Sequence, residues 1–288
     1  MRCRYNMFNP QFPAVLGFTY AGTFTDVGPD VSYVAPGDRV AVARWGGTAR
    51  ETRYAAFQKY PLALERNVLK LDAGTSFEDG SGVIANLVAV VSALTIHMGL
   101  EKPSMADQQA IGGLAVRFAS DAEYEVVTTS SPANEDLVRR RNPASIINHR
   151  QAQDVVIRSI REQGPFHAIL EATGTERGTE IMGKLLEQTG GGGVFFSTSP
   201  SRNDSELPAN VTKRCWSGYS EDRVSDNARS ELRSWFLREY LLHGLQTGAV
   251  FPNPASKIEG GLSGVQAGLD LLNDGKVSGV RLVVYPQE

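Results

Sequence analysis

The chain has 288 residues, 41% hydrophobic and 21% charged, with 29 basic against 32 acidic side chains and a formal charge of −3. That length is enough to bury a substantial core in two ordinary domains. Because both signs of charge are spread along the chain, with Arg139, Arg140 and Arg141 the exception, there is no basic field for a nucleic acid. Cys3 and Cys215 lack the paired spacing of a disulfide scaffold or zinc knuckle, so a reducing cytoplasm is expected. The opening MRCRYNMFNPQF has no apolar stretch of the kind a signal peptide carries.

Up to about Leu71 the sequence reads as short β-like runs separated by Gly and Pro: Pro13 to Phe24, Asp30 to Val34, Gly37 to Trp45 and Tyr54 to Tyr60. The alternation Asp38-Arg39-Val40-Ala41-Val42-Ala43 predicts a half-buried antiparallel strand, and this end is expected to form a small β-barrel. From Gly82 to Leu100 the residues are mostly apolar but interrupted by Asn86, Ser92, Thr95 and His97. With no unbroken run near the ~20 residues of a membrane span, this segment predicts a helix buried between two domains.

The grammar then changes. A helix is expected over Leu114 to Ser120 and a strand over Tyr124 to Thr129. Pro132 and Asn134-Glu135-Asp136 then start a helix that ends in Arg139 to Arg141. Next come a strand Ser145 to Asn148, a helix Asp154 to Glu162 with Val155, Val156 and Ile160 inward, and a strand His167 to Glu171. A helix Gly178 to Gln188 and a strand Gly193 to Ser197 follow. This alternation predicts a parallel sheet covered on both faces. The tail predicts a helix Ala228 to Leu245, a crossover at Phe251 to Pro254, a helix Leu262 to Asn273 and a strand Val280 to Tyr285.

Ligands of open parallel sheets bind at the carboxyl ends of the strands. After the Tyr124 strand stand Ser130, Ser131 and Asn134, with no acid before Glu135. A free ribose 2′-hydroxyl asks for a carboxylate there, whereas a 2′-phosphate asks for hydroxyl donors and a cation, which favours NADPH. Capping of the following helix by Ser131 and Asn134 is the competing role. Gly112 and Gly113 precede a helix as a phosphate cradle would, but Pro103 argues against a strand between Leu100 and Leu114. His97, His149, His167 and His243 lie in separate elements, so no metal is expected, and no Gly-x-Ser-x-Gly elbow occurs.

Several stretches resemble the zinc-independent medium-chain dehydrogenase/reductase superfamily, in particular the trans-acting enoyl reductases of fungal polyketide synthesis and their quinone-reductase-like relatives. These are Phe12 to Gly17, Ala21-Gly22, Val27-Gly28, Gly37 to Val40, Tyr60, Gly260-Gly261-Leu262 and Gly275 to Gly279. The resemblance implies a GroES-like β-barrel substrate domain, residues 1–103 and 250–288, around a doubly wound Rossmann-type α/β domain, residues 104–249. It implies hydride transfer from NADPH to the C=C of an α,β-unsaturated acyl thioester or enone. Carried over residue by residue, cofactor contacts fall on Gln108, Gln109, Ala110, Ile111 and Gly112 at the helix start. The 2′-phosphate turn falls on Ser131, Pro132, Ala133 and Asn134, His149 stands where the family has a tyrosine, and nicotinamide-side contacts fall on Val277 and Ser278. The substrate helix falls on Val90, Val91, Ser92, Ala93, Leu94, Thr95, Ile96 and His97, with Val90 in place of the usual threonine.

Two departures are expected to leave marks. The pattern's opening barrel strands and its first Rossmann strand have no counterpart in this sequence, so the barrel should be incomplete and the parallel sheet should lack a central strand. Two readings follow: an enoyl or quinone-type reductase, or a folded relative without catalysis that acts as a binding or partner protein or is inactive. The expected partners are a small-molecule or acyl-carrier-bound substrate and a polyketide synthase, with no nucleic acid and no membrane, in a cytoplasmic monomer or homodimer.

Overall fold

The computed structural model describes residues 12–44, 51–103, 114–189, 192–197, 207–215 and 226–288. The chain forms two compact units, one from residues 1–88, 108–114 and 225–288 and the other from residues 89–107 and 115–224.

In the first unit, β1 (Thr19–Thr23), β2 (Arg39–Ala43) and β3 (Val68–Lys70) make an antiparallel sheet with β2 in the middle. Alternation along β2 sends Val40 and Val42 into one apolar cluster with Val34 and Val68, lined by Tyr20, Phe24 and Tyr33. Ala41 and Ala43 on the opposite face are buried as well. The first turn of helix α1 (Phe77–Val91) covers that face, where a Cβ on Gly80 would meet Leu71 and Ala41 at 2.8 to 3.1 Å. The half-buried strand expected from the pattern is therefore buried on both sides. Two runs expected to be strands are not. The Ser32 and Tyr33 amides donate to the Glu65 carboxylate, and Thr52–Tyr54 winds into a 3₁₀ turn.

Helix α1 continues through a π-helical turn, Ser92–His97. Val83, Ile84, Leu87, Val91 and Leu94 recur every three or four residues and are buried, so one stripe of the helix faces core. The segment is long and apolar enough to cross a bilayer by composition, yet its exposed face carries Asn86 and its first turn carries Glu78, which accepts a hydrogen bond from Tyr285.

The second unit begins its sheet after α2 (Leu114–Asp121), with β4 (Val127–Ser130), α3 (Glu135–Arg139), β5 (Ser145–Asn148) and α4 (Gln153–Arg161). It continues with β6 (Leu170–Glu171), α5 (Glu176–Gln188), β7 (Gly193–Ser197) and β8 (Val211–Cys215). All pairings are parallel, but they form two pieces, β4 with β5 and β6-β7-β8 in that order. Among the described residues no strand joins the pieces; most of the stretch between Leu100 and Leu114, where the first Rossmann strand is expected to be missing, lies outside them. The helices span the gap. Ile147 of β5, Val156, Ile157 and Ile160 of α4 and Ile181 and Leu185 of α5 form one buried cluster. Ile169 and Met182 pack both on it and on a second cluster of Leu186, Phe195 and Val211 beneath β7 and β8.

Back in the first unit, α6 (Asp226–Trp235), a π turn (Phe236–Tyr240) and α7 (Leu241–Thr247) run on from one another with Phe236, Leu237, Tyr240 and Leu241 buried. β9 (Ala255–Lys257) and β10 (Arg281–Val283) pair in parallel across α8 (Val265–Asn273). Strands β8 and β9 escape the sequence reading because neither is apolar: Val211-Thr-Lys-Arg-Cys lies at the sheet edge among the described residues and Ala255-Ser-Lys is short.

Leu185, 1% exposed, sits where the two helices meet. Leu185→Ala is expected to cost about 2–5 kcal/mol in urea-induced unfolding. A loss smaller than about 1 kcal/mol would show that the helix contact contributes little.

Candidate functional site

Parallel pairing sets Ser130 opposite Asn148, so the turns that leave β4 and β5 lie side by side at the carboxyl edge of the sheet. The His149 amide donates to the Ser130 carbonyl at 3.1 Å and ties the second turn to the first. The first turn is Ser131-Pro132-Ala133-Asn134, closed by the Asn134 amide donating to the Ser131 carbonyl at 3.0 Å. Neither Ser131 nor Asn134 makes a side-chain cap hydrogen bond to the helix that follows, so capping does not explain them.

In the second turn the Arg150 amide donates to the Asn148 side-chain carbonyl at 2.9 Å, an Asx turn. It is also gripped from α5: Arg177 Nη2 donates to the His149 carbonyl at 2.9 Å and to the Gln151 carbonyl at 2.7 Å. Burial depresses the His149 imidazole below its ordinary value, and the Arg150 and Arg177 guanidinium charges press it further in the same direction. The nearest acid after the strand, Glu135, is paired with Arg139. The Arg139–Arg141 run that stood out in the sequence is thus partly spent. Arg139 holds Glu135, and the Arg141 guanidinium is largely buried, which lowers its pKa. Arg150 and Arg177 are the cations beside His149. Arg150 could have been noticed as the neighbour of His149, but nothing in the sequence pointed to Arg177.

The position of Arg177 depends on the end of β6. Glu171, 5% exposed, accepts the Thr173 amide at 2.8 Å, the Gly174 amide at 3.0 Å, the Ser197 hydroxyl at 2.8 Å and the Thr173 hydroxyl. Thr175 accepts the Gly178 amide at 3.0 Å as the cap of α5. A Cβ on Gly178 would lie 2.6 Å from Glu171 Oε1, so only glycine lets the helix start this close to the carboxylate.

Among the remaining expected residues, Gln108, Gln109, Ala110, Ile111 and Gly112 lie outside the described residues. Val277 and Ser278 lie in the first unit, in the loop between α8 and β10, half-buried and exposed. On the Val90–His97 segment, Val91, Ala93 and Leu94 are buried while Val90, Ser92, Thr95, Ile96 and His97 are half-buried. The Thr95 hydroxyl donates to the Val91 carbonyl at 2.7 Å, and the His97 ring lies 6.2 Å from that of Phe196. A π turn such as this widens the helix where side chains are needed off the regular register.

A separate cavity of about 740 Å³ opens in the first unit between β1 and α8, and Tyr60, Leu62, Leu272 and Tyr285 stand exposed along it. It includes none of Val90–His97, and the β1 edge beside it has no strand partner among the described residues. Among the described residues no group of three or more His, Cys, Asp or Glu could hold a metal ion.

Residues 1–101 match the alcohol dehydrogenase GroES-like domain family. The chain is 32% identical to the trans-enoyl reductase tndF of Aspergillus flavipes over 95% of this chain and 83% of that protein. It is 26% identical to the trans-enoyl reductase himH of Aspergillus japonicus over 96% and 82%. In fold it resembles the crystal structure of Escherichia coli quinone oxidoreductase complexed with NADPH, with a TM-score of 0.66, 19% identity and coverage of 98% of this chain and 86% of that one.

Two outcomes are expected. Gly178→Ala forces the Cβ against a carboxylate that four groups hold in place, and it should cost about 1–3 kcal/mol in urea unfolding. An unchanged midpoint would show that the α5 start has room to move. His149 should gain its proton, followed by NMR, at a pH below that of an ordinary histidine. The unfolded chain binds that proton first, so the stability tied to a neutral His149 is full above the usual imidazole range and falls as pH drops through it. A midpoint at or above the ordinary value would contradict the arrangement of cations around the ring.

Proposed function

Since this chain belongs to the medium-chain dehydrogenase/reductase superfamily, we propose that it is a zinc-independent, NADPH-dependent reductase of the C=C bond of an α,β-unsaturated acyl thioester or enone. The observation that carries the choice of cofactor is the pair of turns at the ends of β4 and β5. The turns bring Ser131, Asn134 and His149 to one edge of the sheet, guanidinium charge acts on the His149 ring, and the first acid is already ion-paired. That donor set fits a dianionic 2′-phosphate, and it offers no carboxylate to a free 2′-hydroxyl.

Ser131 and Asn134 would hold the phosphate by hydrogen bonds, and His149 would hydrogen-bond to or stack on the bound nucleotide. The Gln108–Gly112 segment receives the pyrophosphate, and Val277 and Ser278 serve the nicotinamide side. When bound, NADPH would supply the hydride for the substrate β-carbon. Residues of the Val90–His97 turn line the acyl site and exclude water from it, and the α-carbon takes its proton from solvent. Residues 1–103 with 250–288 make the substrate domain and residues 104–249 the dinucleotide domain. The enzyme works in the cytoplasm, as a monomer or homodimer, on a small-molecule or acyl-carrier-bound substrate delivered by a polyketide synthase. Its relatives' names as trans-enoyl reductases support that reading.

A second reading, a folded partner protein without catalysis, is favoured by the lack of any strand between β4 and β6 among the described residues. The two part in a single assay of NADPH oxidation with a crotonyl thioester. The reductase reading expects turnover, with Ser131→Ala/Asn134→Ala raising KM for NADPH about ten-fold or more and leaving kcat largely unchanged. A folded protein that neither binds NADPH nor reduces the thioester would leave the partner reading.

A further inference from the structure

The turn after β5 is held unusually well for an exposed segment. Its Asx closure fixes the Arg150 backbone, and Arg177, reaching from the first turn of a different helix, grips the carbonyls on both sides of Arg150. The arrangement is asymmetric in its chemistry. Arg177 donates to two neutral carbonyls rather than to a carboxylate, and Arg150 is exposed and forms no ion pair among the described residues. Two cations therefore bear on the His149 ring, and His149 adjoins the Ser131–Asn134 turn through its amide, which donates to the Ser130 carbonyl. A protein that wanted only to fasten this turn could use a neutral donor. An anionic ligand at this turn would meet the field of both guanidiniums that already acts on His149.

We infer that Arg150 is the residue that pairs with the cofactor's 2′-phosphate and sets the preference for NADPH over NADH. Arg177 is then a positioning residue that fixes the Arg150 turn through the His149 and Gln151 carbonyls. This rests on the reductase reading and assigns its cofactor selectivity to two residues that the sequence pattern did not mark. Arg150 supplies a charge-assisted hydrogen bond to the phosphate. The contribution of Arg177 is indirect, because its Nη2 is already committed to the turn.

The test uses the full chain, titrated calorimetrically with adenosine 2′,5′-bisphosphate and with 5′-AMP, probes that need no nicotinamide chemistry. The wild type is expected to prefer the bisphosphate, and to prefer it less as salt is raised. Arg150→Ala should weaken bisphosphate binding about ten-fold or more and leave 5′-AMP binding unchanged. Arg177→Met should also weaken the bisphosphate selectively, but it should add almost nothing when placed on Arg150→Ala, since its effect passes through that side chain.

If Arg150→Ala lowers both ligands alike or neither, the phosphate assignment is wrong. If Arg177→Met lowers both ligands together with the melting temperature, or adds fully to Arg150→Ala, it is a structural fastener and the positioning role is overturned. A wild type that binds the two probes equally would instead sink the NADPH reading itself, and this inference with it.

Discussion

Between β4 and β6 no described strand supplies a hydrogen-bonded ladder, so the two parallel pieces of the second unit have to be joined through side chains. The contact of α4 with α5 does this. Each fully buried Ile, Leu or Val side chain contributes about 1.5–3 kcal/mol, against about 0.5–1.5 kcal/mol net for each ladder hydrogen bond. A cluster built on Ile147, Val156, Ile157, Ile160, Ile181 and Leu185 can therefore offset a ladder between strands only two to four residues long. Ile169 and Met182, shared with the cluster under β7 and β8, make that packing continuous across the seam.

Everything at the carboxyl edge depends on this joint. The β4–β5 piece carries Ser131, Asn134 and His149, whereas the β6–β7–β8 piece carries Glu171 and, through Gly178 and the cap Thr175, the start of α5. Arg177 crosses from the second piece to the first and meets the carbonyls of the β5 turn. Apolar packing below the edge and two hydrogen bonds above it hold the same pair of elements in one register. The polar pair alone would be worth little at an exposed position. Set above a packed seam, it has a fixed geometry to work with.

Much of the fold could be read from the residues. The period-2 pattern of Arg39-Val-Ala-Val-Ala and the 3.6-residue pattern of Asp154 to Glu162 both became the expected elements, and Ser145–Asn148 and Gly193–Ser197 matched to the residue. Elements stabilised by what lies across from them were not legible. β8 is polar and lies at the edge of its sheet among the described residues, β6 spans only Leu170–Glu171, and Ser32 and Tyr33 give their amides to Glu65. For the site, the turn after β4 was visible because it follows its strand directly. Arg177 was not, because 28 residues separate it from His149 and only the α4–α5 packing brings them together.

Native-state amide hydrogen exchange on the ligand-free protein tests that joint most directly. If the helices hold the two pieces together, amides of β4 and β5 and those of β6, β7 and β8 should open together, with one common free energy and one denaturant dependence. Exchange of Val127–Ser130 and Ser145–Asn148 through an opening that leaves Gly193–Ser197 and Val211–Cys215 protected would mean that the two pieces are independent. The account of the site built across them would then fail.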